Sequence, residues 1–333
     1  MPFVAYRKPH SDELSALFMK SNTLKYVNDF SESGFVFSPF DAEEKTILFS
    51  LKESVFCTES INFEQRGNNK TSLSEGYLDK EYHINLVKKT IKKITTSELK
   101  KIVISRKEEL PLVDFDFLKT FVQLLKDYEN AFVYVWFQPK VGLWLGATPE
   151  TLLNITNRKF ETMSLAGTQV YQNSDNITWG KKELEEQQLV TDFIKNQLQP
   201  ISSALKIDKT KTVKAGNLLH LKTKVEGELN ESASLESLIR GLHPTPAVCG
   251  LPRNMAKSFI LENENYHRSF YTGFLGELNF ESKQSSLFVN LRCMQISDSI
   301  ASIYIGGGIT KESIPEKEFQ ETVSKANTMK NVL

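Results

Sequence analysis

Ile303-Tyr-Ile-Gly-Gly-Gly-Ile-Thr310 is the stretch around which the chain is organised, a short apolar strand that runs into three consecutive glycines. Glycine permits close approaches and backbone conformations that side chains exclude. Three glycines after a strand therefore predict bare peptide groups that are offered to a ligand. Pro315 then suits the first turn of a helix, where its missing N–H costs nothing. We therefore predict a glycine cradle followed by a helix.

The predicted helix after the glycines carries a charged stripe. Glu318, Glu321 and Lys325 stand at positions i, i+3 and i+7, so they share one face. Read alone, such a stripe is typical of a helix surface that faces solvent. The glycines upstream, together with carboxylates elsewhere that stand in apolar surroundings, favour a ligand site instead.

Composition limits the class of protein. The chain has 333 residues, of which 40% are hydrophobic and 25% charged, as in ordinary globular proteins. Forty-one basic residues balance forty-one acidic ones, which speaks against nucleic acid or an anionic membrane as a partner. No apolar run has membrane-spanning length, and the first residues show no signal-peptide pattern. Three separated cysteines without a CxxC pair indicate a reducing compartment, so we expect a cytoplasmic protein without structural zinc.

Strand patterns that follow one another as hairpins and meanders indicate the fold class. Residues 131–137 and 141–147 read as a hairpin, and residues 287–295 read as one strand. Helical patterns over 181–198 and 253–263 interrupt the strands singly, without regular strand–helix alternation. The order predicts an α+β fold with largely antiparallel sheets covered by helices.

Glu186 is the carboxylate in the least expected surroundings. In the predicted helix over 181–198 it shares a face with Val190 and Phe193. A carboxylate in an apolar stripe is costly to bury unless it is paired or bound to metal. A buried salt bridge with a lysine is one explanation. Together with Glu318 and Glu321 on another helix, the pattern also suits a magnesium site, because Mg²⁺ prefers a few carboxylates and an anionic substrate group.

Two further residues could act as a base and an acid. Lys101 opens an apolar strand, where burial would favour a neutral amine, although an edge lysine in solvent fits the same spacing. Glu150 follows a turn, where a half-buried carboxyl can keep its proton and act as an acid, although a surface turn residue fits too. Arg292 lies in the predicted strand over 287–295, and a buried arginine usually holds a carboxylate. Tyr271 and His220, read alone, suit core packing.

Nine stretches together resemble the chorismate-utilising enzymes, the family of isochorismate, salicylate, anthranilate and aminodeoxychorismate synthases. In the family's order they are Lys101-Ile-Val-Ile-Ser-Arg106, Gly146-Ala-Thr-Pro-Glu-Thr-Leu-Leu153, Leu165-Ala-Gly-Thr168, His220-Leu-Lys-Thr223, Leu242-His-Pro-Thr-Pro-Ala-Val248, Tyr271-Thr-Gly273, Leu291-Arg292, Gly306-Gly-Gly308 and Glu318-Phe-Gln-Glu-Thr-Val-Ser-Lys325. The resemblance covers about residue 84 to the end. It implies sheets that form a sandwich-like core, and one domain over residues 1–333, with 1–83 divergent and 84–333 carrying the catalytic motifs.

The resemblance also implies roles in the reaction. Lys101 resembles the base that activates water at C2 of the chorismate ring, and Glu150 the acid that protonates the departing C4 hydroxyl. Glu186 and Glu321 resemble ligands of a Mg²⁺ ion that binds the ring carboxylate, with Glu318 beside them.

The remaining substrate contacts follow from the same resemblance. The residues implied to bind substrate are Lys325 at the ring carboxylate, Tyr271, Arg292, Gly306, Gly307 and Gly308 at the enolpyruvyl carboxylate, His220 and Thr223 along the ring, and Ala166, Gly167 and Thr168. Two carboxylates need such cationic and N–H groups, and an exchange of hydroxyls needs one base and one acid.

Two stretches favour members of the family that use water. Ala166 stands where ammonia-using members carry a lysine, and its small side chain leaves space for water. Residues 242–248 resemble the loop of isochorismate-forming members. Gln187 and Cys249 depart from the family's usual residues, which are His or Asn and Gly respectively.

We therefore expect Mg²⁺-dependent conversion of chorismate into isochorismate. Salicylate formation with loss of pyruvate is the alternative within enzymes, and an inactive chorismate-binding protein is the alternative outside them. Apart from chorismate we expect no obligatory partner, in particular no amidotransferase subunit, and a monomer or homodimer.

Overall fold

The computed structural model describes residues 1–61, 78–171, 177–215, 218–280 and 283–333. Residues 63–75, which the sequence predicts to be a loop, lie outside these ranges. Within them the chain forms eighteen strands. They are β1 (Phe3–Arg7), β2 (Glu13–Met19), β3 (Gly34–Ser38), β4 (Ile47–Ser50), β5 (Ser54–Ser60), β6 (Lys101–Pro111), β7 (Phe132–Gln138), β8 (Gly142–Thr148), β9 (Thr151–Thr156), β10 (Lys159–Val170), β11 (Ser202–Ile207), β12 (Lys211–Ala215), β13 (Leu218–Leu229), β14 (Gly250–Leu251), β15 (Phe274–Phe280), β16 (Gln284–Val289), β17 (Cys293–Ser297) and β18 (Ile300–Ile309).

The strands form two large antiparallel sheets. The first has the order β14-β6-β18-β17-β8-β7-β1-β2-β5, and the second β11-β13-β10-β9-β16-β15-β3-β4, with β12 beside β13. The predicted hairpin is confirmed, because β7 and β8 pair from Phe132↔Thr148 to Gln138↔Gly142. The N-terminal strands belong to both sheets: β1 lies between β2 and β7, and β3 lies beside β15.

Six helices in the described residues cover the sheets. They are α1 (Leu78–Thr95), α2 (Phe117–Asp127), α3 (Lys181–Leu198), α4 (Leu235–Leu242), α5 (Arg253–Asn263) and α6 (Pro315–Lys330). The predicted helices over 181–198 and 253–263 are confirmed as α3 and α5. Within the same part of the chain, no helix has the length and apolar character required to cross a membrane.

An aromatic core fills the space between the sheets. Tyr6 and Phe132 come from the first sheet, and Phe37 and Phe288 from the second; all four are buried, and the rings of Phe132 and Phe288 stack at 4.2 Å. Each large apolar side chain contributes about 1.5–3 kcal/mol by leaving water. Helices α3 and α4 pack on the outer face of the second sheet, and α2 and α6 on that of the first. The predicted α+β sandwich with helical cover is therefore confirmed.

The predicted single strand over 287–295 is wrong. The chain leaves the second sheet at Val289 and enters the first at Cys293, so β16 and β17 belong to different sheets. Arg292, in the crossing, has a φ of 46°, which a residue with a side chain adopts only under strain. The apolar run is continuous because both halves are buried, so its pattern does not reveal the crossing. Arg292 consequently lies where the chain passes from one sheet to the other.

The three glycines lie inside β18 and not after it. Gly306, Gly307 and Gly308 pair with Ser105, Ile104 and Val103 of β6. On the other side, β17 pairs with β18 only as far as Tyr304. Within the described sheet, the glycine run therefore has a neighbouring strand on one edge alone, and its other edge faces a cleft.

Candidate active site

A cleft opens between the sheets, beside the crossing and the glycine run. Residues of both sheets and of helices α3 and α6 line it. Most of the predicted site residues line it. They are Glu150, Ala166, Gly167, Thr168, Glu186, His220, Tyr271, Arg292, Gly306, Gly307, Gly308, Glu321 and Lys325. Lys101, Glu318 and Thr223 are placed behind this wall.

Glu150 is a buried carboxyl group that holds its proton. It follows β8, is only 2% exposed, and its Oε1 has no hydrogen-bond partner among the described residues. Burial raises its pKa from 4.5 to about 8, and the charges of Lys101 and Arg292 oppose the rise. The group is therefore largely protonated at neutral pH, which is the state an acid catalyst needs.

Lys101 lies at the start of β6, directly behind Gly308. Its side chain is fully buried, and its Nζ lies 2.8 Å from Glu186 Oε1. This contact is an ion pair without hydrogen-bond alignment. A Cβ on Gly308 would lie 2.5 Å from Glu186 Oε1 and 2.8 Å from Lys101 Cε, so a larger residue there would displace both side chains. The ammonium group of Lys101 is therefore separated from the cleft by Gly308 and Glu186, which line it.

Three carboxylates and three ammonium groups meet where α3, α6 and β6 converge. We call this group the acid–lysine cluster. Its ion pairs are Lys101–Glu186 at 2.8 Å, Lys182–Glu318 at 2.5 Å and Lys325–Glu321 at 2.6 Å. Helical spacing produces the arrangement, because Lys182 and Glu186 stand one turn apart on α3, and Glu318 and Glu321 one turn apart on α6.

The environments of the two α6 carboxylates differ. Burial raises the pKa of Glu318, although Lys182 lowers it. Burial also acts to raise the pKa of Glu321, but the nearby ammonium of Lys325 outweighs it and the net shift is downward. Among the described residues, no three His, Cys, Asp or Glu side chains are gathered as a ready metal site. The carboxylates are turned towards lysines, yet the donors are all hard oxygens, which suits Mg²⁺.

A further part of the cleft, around His220, Arg292 and Gly306, can bind an anion. His220 Nδ1 donates to the Gly167 carbonyl at 3.0 Å, and burial, helped by Arg292, lowers the pKa of His220 to about 3. The imidazole is therefore neutral, and its Nε2 accepts from Arg292 at 3.4 Å. A Cβ on Gly306 would lie 2.7 Å from the hydroxyl of Tyr271. The arginine, the hydroxyl and the glycine peptides can thus hold a carboxylate.

Thr223 does not line the cleft, contrary to the prediction. Successive residues of a strand point to opposite faces, so His220 and Thr223, three positions apart on β13, cannot both face the substrate. Thr223 is buried, and its hydroxyl contacts Gln187 at 3.0 Å and Thr210 at 2.8 Å. It belongs to the packing behind the site.

The sequence reasoning noted Gln187 only as a departure from the family's usual residue and did not consider Lys182. Gln187 is 2% exposed and donates to Ser164 and Thr223, which fixes α3 against β10 and β13. Lys182 is the partner of Glu318. Lys182 could have been found from its spacing, because it stands four residues before Glu186 and positions i and i+4 share a helix face.

Comparisons with known proteins agree with this geometry. A family model described as chorismate binding enzyme matches residues 40–333. The isochorismate synthase DhbC of Bacillus subtilis is 32% identical over 195 residues, 56% of this chain and 49% of that protein. The isochorismate synthase MenF of Escherichia coli is 28% identical over 272 residues, 79% of this chain and 62% of that protein. The chain thus spans roughly half to three-fifths of the length of these relatives.

Solved structures share the fold. The crystal structure of DhbC from Bacillus anthracis superposes with a TM-score of 0.83 at 24% identity, covering 99% of this chain and 95% of that one. The structure of MenF from Escherichia coli gives a TM-score of 0.82 at 22% identity, covering 100% of this chain and 89% of that one. At these identities the likeness establishes the architecture.

Proposed function

The chain belongs to the chorismate-binding enzymes, and we propose that it converts chorismate into isochorismate by replacing the C4 hydroxyl with a water-derived hydroxyl at C2. The observation that carries the proposal is Glu150, a buried carboxyl protonated at neutral pH in the same cleft as Arg292. Ala166 supports the use of water, because it is a small side chain in the wall of that cleft. The relatives named isochorismate synthase support the same reaction.

The proposed reaction needs one acid and one base. A water oxygen bonds to C2 and gives one proton to Lys101, which must have lost the proton of its ammonium form to act as a base, the ring double bonds shift, and the C4–oxygen bond breaks. Glu150 donates its proton to the departing hydroxyl, which leaves as water. Atoms and charge balance, because one water enters and one leaves. Lys101 must turn from Glu186 towards the cleft to reach the attacking water.

The two carboxylates of chorismate need separate binding groups. We assign the enolpyruvyl carboxylate to Arg292, Tyr271 and the glycine peptides of β18, which form one corner of the cleft. The ring carboxylate would then face the acid–lysine cluster. There, Glu186 and Glu321 would hold Mg²⁺, with Glu318 beside them, and the ion would supply positive charge for the ring carboxylate.

Product analysis tests this proposal. Purified protein is incubated with chorismate, with and without Mg²⁺, and the products are separated by chromatography. Isochorismate that forms only with Mg²⁺ is the expected result. Salicylate and pyruvate as main products would show a salicylate synthase instead. A folded protein that gives no product with Mg²⁺ would indicate the inactive chorismate-binding protein.

The pH dependence follows from Glu150. Its protonated form is the active acid, and its pKa is raised to about 8, so kcat/KM should fall as the pH rises through about 8. A pH profile at saturating Mg²⁺ measures this alkaline limb. A rate that stays constant to pH 9.5 would show that another group supplies the proton.

Ala166→Lys should suppress the water reaction. Ala166 is only 7% exposed, so a lysine there must extend into the cleft and displace the attacking water. We expect isochorismate formation to fall by about 10²-fold, as for a misplaced reactant. Ala204→Lys, on an exposed part of β11, is the control. Isochorismate formation at the natural rate by Ala166→Lys would show that the attacking water does not need the space beside Ala166.

The setting of the activity is part of the same proposal. We place the enzyme in the cytoplasm, acting as a monomer or homodimer without an amidotransferase subunit, since the water reaction needs no ammonia. Size-exclusion chromatography of the active protein measures the oligomeric state.

A further inference from the structure

The acid–lysine cluster contains one lysine that the proposed reaction does not use. Lys101 is assigned to base catalysis, and Lys325 lines the cleft and donates to the Gly306 carbonyl at 3.0 Å. Lys182 does not line the cleft. Its contact is with Glu318 Oε1, at 2.5 Å, and the charges of Glu186 and Glu321 also act on it. A single ammonium group thus faces all three proposed metal-site carboxylates.

Charge balance explains what Lys182 does when metal is absent. Three lysines offset three glutamates in the cluster, so the buried carboxylates carry no uncompensated charge. A divalent ion added to this neutral cluster would leave an excess of two positive charges. Release of one ammonium group reduces that excess, so an exchange of cations is favoured over simple addition.

Exposure identifies the lysine that can leave. The side chain of Lys101 is 0% exposed and that of Lys325 is 14% exposed, whereas that of Lys182 is 24% exposed. Lys182 also stands in the first turn of α3, at the end of the helix, where a long flexible side chain can move into water. Lys101 would have to cross the packed core to do the same.

We propose that Lys182 is the cation that Mg²⁺ displaces from the metal site: in the metal-free protein its ammonium group pairs with Glu318 and offsets part of the charge of Glu186, Glu318 and Glu321, and it swings into solvent when Mg²⁺ binds. The inference rests on the magnesium part of the proposed function. It follows that Mg²⁺ binds the natural protein more weakly than the carboxylates alone would allow, because the ion must displace an ammonium group.

Calorimetric titration with Mg²⁺ alone, without substrate, tests the exchange. Lys182→Met keeps the apolar stem and removes the charge, so the dissociation constant for Mg²⁺ should fall by about tenfold. Lys181→Met is the matched control, because Lys181 is the adjacent residue, its side chain is 89% exposed, and it pairs with Glu185 outside the cluster. Its affinity for Mg²⁺ should equal that of the natural protein. Unchanged or weaker binding by Lys182→Met would overturn the inference.

Thermal melting gives a second readout. Without metal, Lys182→Met should melt below the natural protein, because its carboxylates lack a counter-ion, and saturating Mg²⁺ should remove the difference. A difference that persists in saturating Mg²⁺ would show a structural role only and overturn the exchange. Lys182→Gln, which is neutral but can still donate to Glu318, replaces the methionine variant if that variant does not fold.

The outcome separates this inference from the proposed function. If neither variant nor natural protein binds Mg²⁺ while isochorismate is still formed, the exchange and the magnesium part of the proposed function are wrong, and the conversion of chorismate into isochorismate stands. If Lys182→Met binds Mg²⁺ more tightly but the natural protein forms no isochorismate, the exchange stands and the function is wrong.

Discussion

Lys101→Ala is expected to lower the rate of isochorismate formation at saturating chorismate by about 10²–10⁴-fold, the contribution of a positioned base. Chorismate should still bind, because Lys101 does not line the cleft and Arg292 and Tyr271 remain in place. Steady-state rates and equilibrium binding of chorismate, measured on the same preparation, separate the two effects. Lost binding with an unimpaired rate at saturation would contradict the role of a base.

The stability of the variant needs its own control. Lys101 is fully buried beside Glu186, and removing one partner of a buried ion pair costs about 3–5 kcal/mol. Lys101→Met fills the volume that alanine leaves empty and should be equally inactive. Lys100→Ala, at the exposed neighbouring position, should keep both activity and stability. Melting temperatures distinguish loss of folding from loss of the base.

Glu150→Gln is expected to reduce turnover by a similar factor of about 10²–10⁴. The amide has the shape and neutrality of the protonated carboxyl group but cannot give up a proton, so chorismate affinity at neutral pH should be unchanged. The alkaline limb near pH 8 should also disappear from any residual activity. Glu185→Gln, at an exposed position of α3, is the control. Retained turnover in Glu150→Gln would remove Glu150 from the mechanism.

The same substitution should stabilise the protein at higher pH. Burial raises the pKa of Glu150 in the folded protein, so its protonation supports folding fully below pH 4.5, and this support is lost progressively between pH 4.5 and about 8. At pH 7 the natural carboxyl group therefore costs on the order of 3 kcal/mol relative to a neutral amide. Denaturant unfolding at pH 4 and pH 8 measures the difference, which should appear only at the higher pH.

Much of the fold could be predicted from the sequence because most elements carry a local pattern. Helices α3 and α5 were predicted at their observed ends, and the β7–β8 hairpin follows from its spacing. The crossing at Arg292 could not be predicted in this way. Both halves of the apolar run are buried, so no change of period marks the place where the chain passes from one sheet to the other.

The candidate site shows the same division between local pattern and tertiary arrangement. Helical spacing grouped Glu318 with Glu321, and the apolar face of α3 drew attention to Glu186. The partner of each carboxylate depends on how α3, α6 and β6 meet, so Lys182 was missed. Thr223 was assigned through resemblance, although strand alternation with His220 argues against a place in the wall. The glycines also make room for neighbouring side chains, because a Cβ at Gly308 would contact Lys101 and Glu186.

Oxygen labelling tests the central claim most directly. Chorismate is incubated with the enzyme and Mg²⁺ in water enriched in ¹⁸O, and the isochorismate formed at early times is analysed by mass spectrometry and NMR. Because the proposed reaction replaces the C4 hydroxyl by solvent oxygen at C2, each product molecule should carry one ¹⁸O atom, at C2. Isochorismate without solvent oxygen, or labelled elsewhere, would contradict the proposed substitution by water.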